Sequence, residues 1–186
     1  MPAVHPVHYR NLSPYIRFAH EIGMPRGTML LNRTNYDHEF VYGIEGEALA
    51  EMNGQTYVLR AGDLLLIKPH TVHTIKVEKD PPFLSVCVHF DWTDLGQASD
   101  FSPYGVYLRK TPDAAAPDLS KRPADEFMEF EWPPFMSVSD RAAFLAVFRD
   151  IVRHFGDSRL GSKLMMKASF LKLIALASEE LATDEG

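Results

Sequence analysis

Between residues 28 and 92, short β-prone segments alternate with turn signals, and this punctuation constrains the fold more than any other feature of the chain. Thr28–Arg33 and Glu39–Ile44 read as strands, the second ended by Glu45-Gly46-Glu47. Ala48–Met52 runs into Asn53-Gly54, a pair suited to a type I′ hairpin because both central residues of that turn need positive φ, and Thr56–Leu59 returns as the partner strand. Ala61-Gly62-Asp63 makes the next turn, and Leu64–Ile67 is a short apolar strand stopped by Pro69, which cannot donate to a ladder. His73–Val77 and Leu84–Phe90 complete the series. Short strands at this spacing predict a barrel or a sandwich.

The flanking regions differ in character. Residues 1–27 carry Pro6, Pro14 and Pro25 and read as an irregular lead-in; residues 93–139 hold most of the remaining prolines and read as a long connection. Residues 140–182 read as two helices. In the first, Phe144, Val147, Phe148, Ile151, Val152 and Phe155 recur at three- and four-residue steps, with Ser139 or Asp140 as N-cap and Gly156 as stop. The second runs from about 162 to 181, and between Leu164 and Ala177 its polar residues are Lys167, Ser169 and Lys172. A helix apolar on nearly every side must be covered on two sides. One face is therefore expected on its own chain and the other on a second copy, with Leu164, Phe170, Leu171 and Ile174 at the interface. The competing reading is that the second face meets a further domain of the same chain. The division expected is 1–136 for a sensing barrel with its arm and connection, and 137–186 for a helical linking and dimerising segment.

Composition narrows the function. The formal charge is −6 and the pI about 5.7, so these residues lack the clustered Lys and Arg that grip nucleic-acid phosphates. A single cysteine, Cys87, rules out an intrachain disulfide framework and reads as a buried thiol in a reduced compartment. The first thirty residues lack a secretory apolar core, and no apolar run reaches the ~18 residues that span a bilayer, so the expectation is a cytoplasmic protein without a membrane partner.

Several of these residues fall in a pattern that resembles the cupin fold. Cupins pair a motif of His-x-His, Glu and a turn Gly with a second motif of Gly, an apolar strand, Pro and His. Six residues separate Glu39 from Gly46, and Gly62, Pro69 and His73 follow in the second pattern, with one residue more than usual between Gly and Pro. The resemblance implies a double-stranded β-helix of jelly-roll type, here mainly β with two α-helices after the barrel. The His-x-His pair is missing: Asn32-Arg-Thr-Asn35 stands in its place. A metal centre needs about three or four converging N/O ligands. Glu39 and His73 supply two, His89 is a possible third, and His38, adjacent to Glu39 on a strand, should point away. No metal and no cofactor are expected.

The runs Asp37-His-Glu-Phe-Val-Tyr, Gly62-Asp-Leu-Leu-Leu-Ile-Lys-Pro-His-Thr-Val-His and Val88-His-Phe-Asp-Trp92 further resemble the N-terminal sensing domain of AraC/XylS-family transcription regulators. That likeness implies a small-molecule effector such as a sugar, a homodimer formed through the C-terminal helices, and DNA contact only through a helix-turn-helix domain absent from this chain. It implies a binding module rather than an enzyme; the alternative is a stand-alone metal-dependent cupin enzyme of isomerase or dioxygenase type. By strand alternation, Glu39, Val41 and Gly43 share the inner face, as do His73 and Ile75, while Phe40, Tyr42 and Ile44 point out. The expected ligand-binding set is Glu39, His73, Val41, Gly43, His89, Arg33 and Ile75, with Gly43 leaving room in the pocket or marking a bulge. His5, His8 and Tyr9 are expected either in a lid or in a disordered lead-in. His20, His70 and His154 are expected at the surface, and Trp92 in the core.

Overall fold

The computed structural model describes residues 4–94, 107–108, 124–128 and 131–184. Two five-stranded sheets face each other. One has the order β10-β3-β8-β5-β6, with β3 at Met29–Asn35, β5 at Ala48–Met52, β6 at Gln55–Leu59, β8 at Val72–Lys76 and β10 at Tyr107–Leu108. The other has the order β12-β7-β4-β9-β2, with β2 at Tyr15–Met24, β4 at His38–Glu45, β7 at Asp63–Ile67, β9 at Phe83–Asp91 and β12 at Phe135–Ser137. A separate pair joins β1 (Val4–Val7) in parallel to β11 (Ala124–Phe127). Helices α1 (Arg141–Phe155) and α2 (Leu160–Asp184) follow. The mainly β barrel with two C-terminal helices read from the sequence is the fold observed.

The β5–β6 hairpin turns at Asn53-Gly54 with φ of 52° and 76°, as a type I′ turn requires. Two cores follow from strand alternation. Inward residues Met24, Val41, Ala50, Leu65, Ile67, Ile75, Val77 and Cys87 pack between the sheets. The outward residues of the second sheet, Phe40, Tyr42, Val86, Val88 and Phe90, meet Phe144, Val147, Phe148 and Ile151 of α1 and Phe170, Leu173, Ile174 and Ala177 of α2. Rings carry much of this second core: Phe90 lies 4.6 Å from Phe170 and Tyr42 lies 5.0 Å from Phe148, centroid to centroid. Each such buried ring contributes about 1.5–3 kcal/mol by area alone.

The sequence reading needs four corrections here. Residues 15–24 form a ten-residue strand, β2, paired along β9; Pro14 and Pro25 bound it rather than marking irregular chain. Gly43 opens no pocket: a Cβ there would lie 2.1 Å from the Arg60 carbonyl oxygen, and the β4–β9 register shifts just after it, between Gly43 and Glu45. The bulge reading therefore holds. Phe170 and Ile174, placed at the dimer interface from sequence, are 0% and 4% exposed in the chain's own core. Finally, His20 is not a surface residue but stands opposite Cys87 on β2.

Candidate functional site

The inner face of the barrel carries a buried polar cluster at one end of β2, β4 and β9 and the adjoining part of β3 and β8. Strand register brings it together: Glu39 lies directly across from His89, Phe18 across from His89 on the other side, and Arg33 across from His73. Directly opposed residues of an antiparallel pair share a face, so a polar residue at each of these positions points to one place. His38, one step from Glu39, points to the opposite face and stacks on Phe90 with centroids 5.3 Å apart.

His89 sits at the centre. Its Nδ1 is 3.0 Å from Asp37 Oδ1 and its Nε2 is 3.4 Å from Glu39 Oε1, and all three side chains are buried. Carboxylates accept, so the ring donates from both nitrogens as an imidazolium. Burial alone pushes the His89 pKa down, but the charges of Glu39 and Asp37 outweigh it and raise it to about 9. Glu39 is the mirror case: burial pushes it up, yet the charge and hydrogen bond of His89 and the charge of Arg33 hold its carboxyl well below the usual range. Asn35 Nδ2 donates to Glu39 Oε2 at 2.6 Å. Beyond Asp37, Arg17 Nε lies 3.3 Å from Asp37 Oδ2, and Arg17 Nη2 donates to Asp91 Oδ2. The Arg17 guanidinium is held between the rings of Tyr15 and Tyr36, at 5.0 and 5.4 Å.

His73 and His20 behave differently. Burial lowers the pKa of each, so both rings are neutral near pH 7. His73 Nδ1 is 3.1 Å from the Thr71 carbonyl oxygen. Among the described residues, Arg17, Arg33 and His89 bring positive charge to the cluster and Asp37, Asp91 and Glu39 negative charge.

Of the ligand set read from the sequence, the structure gathers Glu39, His73, His89 and Arg33, with Val41 and Ile75 buried deeper on the same face. Gly43 stands apart at the Arg60 contact. The reading missed Asn35, Asp37, Arg17, Asp91 and His20. A signal for one of them was present, since His89-x-Asp91 repeats polar residues on β9 at the period of two that places them on one face.

The cluster does not suit a metal ion. Both His89 nitrogens face carboxylates, asparagine and arginine stand where the first motif would carry histidines, and Arg33 adds a positive charge against a cation. Among the described residues, no group of three or more His, Cys, Asp and Glu side chains is arranged to hold a metal. Cys87, buried beside the cluster, has its thiol pushed up by burial and is inert.

Phe18 links the cluster to the helical segment. The Phe18 ring lies 6.0 Å from the His89 ring and edge-on to Phe155 at 5.8 Å, and Phe155 ends α1. Beside Phe155 the junction is open: a cavity of about 500 Å³ is lined by Tyr15, Ile16, Leu164, Met166 and Lys167 among others. On α2, Leu160, Leu164, Met165 and Leu171 are exposed.

Residues 22–89, from the end of β2 to β9, match the family model described as a cupin domain. Similar solved structures include a cupin 2 domain-containing protein from Halorhodospira halophila, with 18% identity over 39% of this chain and 50% of that one and a TM-score of 0.36. An RmlC-like cupin with a double-stranded β-helix fold from Methanocaldococcus jannaschii gives 15% identity over 40% and 69%, with a TM-score of 0.37. A cupin protein from Bacteroides fragilis gives 21% over 42% and 68%, with a TM-score of 0.38. The chain thus spans half the length of the first of these. No curated protein matches it.

Proposed function

We propose that this chain is the effector-binding and self-associating part of an AraC-type transcription regulator, a binding module rather than an enzyme. In this reading the barrel, to about residue 136, binds a small polar effector such as a sugar. The segment from 137 pairs two copies through the exposed face of α2, led by Leu164 and Leu171. DNA contact belongs to a helix-turn-helix domain outside these residues, consistent with the acidic charge of −6. The setting is cytoplasmic; no helix among the described residues is long and apolar enough to cross a membrane.

The observation that carries this reading is the position of Phe18 between the buried cluster and the end of α1. A ligand that changes how His89 and Glu39 sit must move or hold that ring, and the ring leans on the α1–α2 junction. The open cavity beside Phe155 leaves the junction room to take two arrangements. A ligand favouring one of them shifts the population by its difference in affinity, typically 1–3 kcal/mol of coupling. The metal-dependent enzyme alternative lacks support of this kind, because the cluster offers a cation too few free ligands.

The test is to read the gene beyond the codon for Gly186. A frame that continues into two helix-turn-helix units is the expected result. A stop codon directly after Gly186 contradicts the regulator reading.

A further inference from the structure

Outside the barrel, the corner where α1 turns into α2 beside the start of β2 holds the cavity of about 500 Å³. That volume falls within the roughly 300–1,000 Å³ of small-molecule sites. Its lining combines two kinds of surface. Ile16 and Phe155 present apolar side chains from the strand and from the end of α1, and Leu164 and Met166 present them from α2. Lys163 and Lys167 supply positive charge. At i and i+4 these two stand one turn apart on the same side of α2, where like charges repel.

Among the described residues, neither ammonium group has a carboxylate partner. Lys167 Nζ donates to Ser13 Oγ at 2.7 Å, a neutral acceptor. The carboxylate that lines the cavity, Asp157, is already engaged: its Oδ2 accepts from Arg159 Nε at 2.8 Å and from Ser162 Oγ at 2.7 Å. Elsewhere on the surface, cations of this chain meet carboxylates, Arg149 with Glu21, Lys76 with Glu51, and both Arg60 and Lys79 with Glu47. The corner departs from that pattern in a chain whose formal charge is −6.

The two surfaces together select the occupant. A carboxylate set between the ammonium groups removes their repulsion and gains charge-assisted hydrogen bonds. An apolar body laid on the side chains beside them removes that area from water. A hydrated inorganic anion would leave the apolar wall wet, and a neutral alcohol would leave the cations unpaired. Leu164 also borders the α2 face proposed above to pair two copies, so a second copy is the competing occupant; the unpaired cations favour an anion over that apolar contact.

We propose that this corner binds a small amphipathic anion, a carboxylate with an apolar tail or ring, its charge between Lys163 and Lys167 and its body against Phe155 and Met166. The site is separate from the buried cluster and does not rest on the effector-binding reading.

The experiment uses the full 186-residue chain and octanoate as the anion. Calorimetric titration compares octanoate with 1-octanol, octylammonium and acetate, on wild type, Lys163→Arg, Lys163→Gln and Lys163→Gln/Lys167→Gln, each checked by circular dichroism. If the double variant does not fold, Lys163→Gln, at an exposed position, carries the comparison. Methionine-methyl spectra, assigned with single Met→Leu variants, locate the ligand, because Met166 lines the corner whereas Met24 and Met52 lie between the sheets. The expected result is one octanoate per chain, bound more tightly than the other three compounds and shifting the Met166 signal but not those of Met24 or Met52. Its affinity should fall about tenfold in the double variant, survive in Lys163→Arg, and weaken with added salt. Absence of saturable binding, as when a second copy closes the corner, overturns the proposal. So does binding that shifts Met24 or Met52 instead, an affinity unchanged by loss of the lysine charge, or 1-octanol binding as tightly as octanoate. None of these outcomes touches the effector-binding reading, and a stop codon after Gly186 would reject the regulator while leaving this site in place.

Discussion

At the scale of single residues, His89 governs how stability depends on pH. Its folded pKa of about 9 lies above the ordinary 6.5, so its contribution is complete below about pH 6.5 and is lost as pH rises through 9. Glu39, held low, contributes above its ordinary 4.5 and loses that contribution only as pH falls below it. Both contributions are therefore present in full between about 4.5 and 6.5. Urea unfolding should show wild-type stability falling by about 3 kcal/mol from pH 6 to pH 9. His89→Gln should be about 3–5 kcal/mol less stable at pH 6, since it removes the imidazolium that Asp37 and Glu39 share in a buried site, and its profile should be flat across that range. An unchanged slope in the variant would assign the pH dependence elsewhere. Gly43 gives a second test at this scale. Gly43→Ala should lose about 3 kcal/mol, because its Cβ would meet the backbone of Arg60 rather than a side chain that can turn away. A melt unchanged from wild type would show that the strands separate there at little cost.

At the scale of elements, the legible part of the fold was what alternation and turn chemistry write locally. β5 was read to its end residues and β4 to within one residue of each, because Asn53-Gly54 and Gly46 punctuate them. β2 was not legible, because His20 and Glu21 interrupt its apolar pattern and the prolines at 14 and 25 resemble those of loose chain. With β2 went Arg17 and His20, so the half of the site it supplies was missed. Glu39, His73 and His89 were found because they lie on strands whose register the motifs set. α2 divides its two apolar faces in a way that periodicity alone did not resolve. Phe170 packs on Phe90 inside the chain, whereas Leu171 is 39% exposed. Phe170→Ala should therefore destabilise the fold by about 3–5 kcal/mol in urea unfolding. At the start of α1, the side chain of Asp140 accepts from Ala143 N at 2.9 Å; Asp140→Ala should cost about 1 kcal/mol by the same assay. A loss under about 0.3 kcal/mol would mean that Ser139 takes over the cap.

At the scale of the whole molecule, the barrel and helices are joined by one aromatic core on the outside of the second sheet, while the polar cluster lies on the inside of the same sheet. β4 and β9 separate the two, so each carries a core residue on one side and a site residue on the other: Phe40 beside Glu39, Phe90 beside His89. That arrangement gives the site a rigid back wall and puts Phe18, at the β2 edge, in ring contact with both His89 and the end of α1. A module of this kind has one function inside the barrel and another on the exposed face of α2. The most direct test of that account is sedimentation equilibrium of wild type and Leu171→Glu, with circular dichroism to check the fold. The account predicts a wild-type dimer and a folded, monomeric variant. A wild type that remains monomeric at every concentration measured would contradict it.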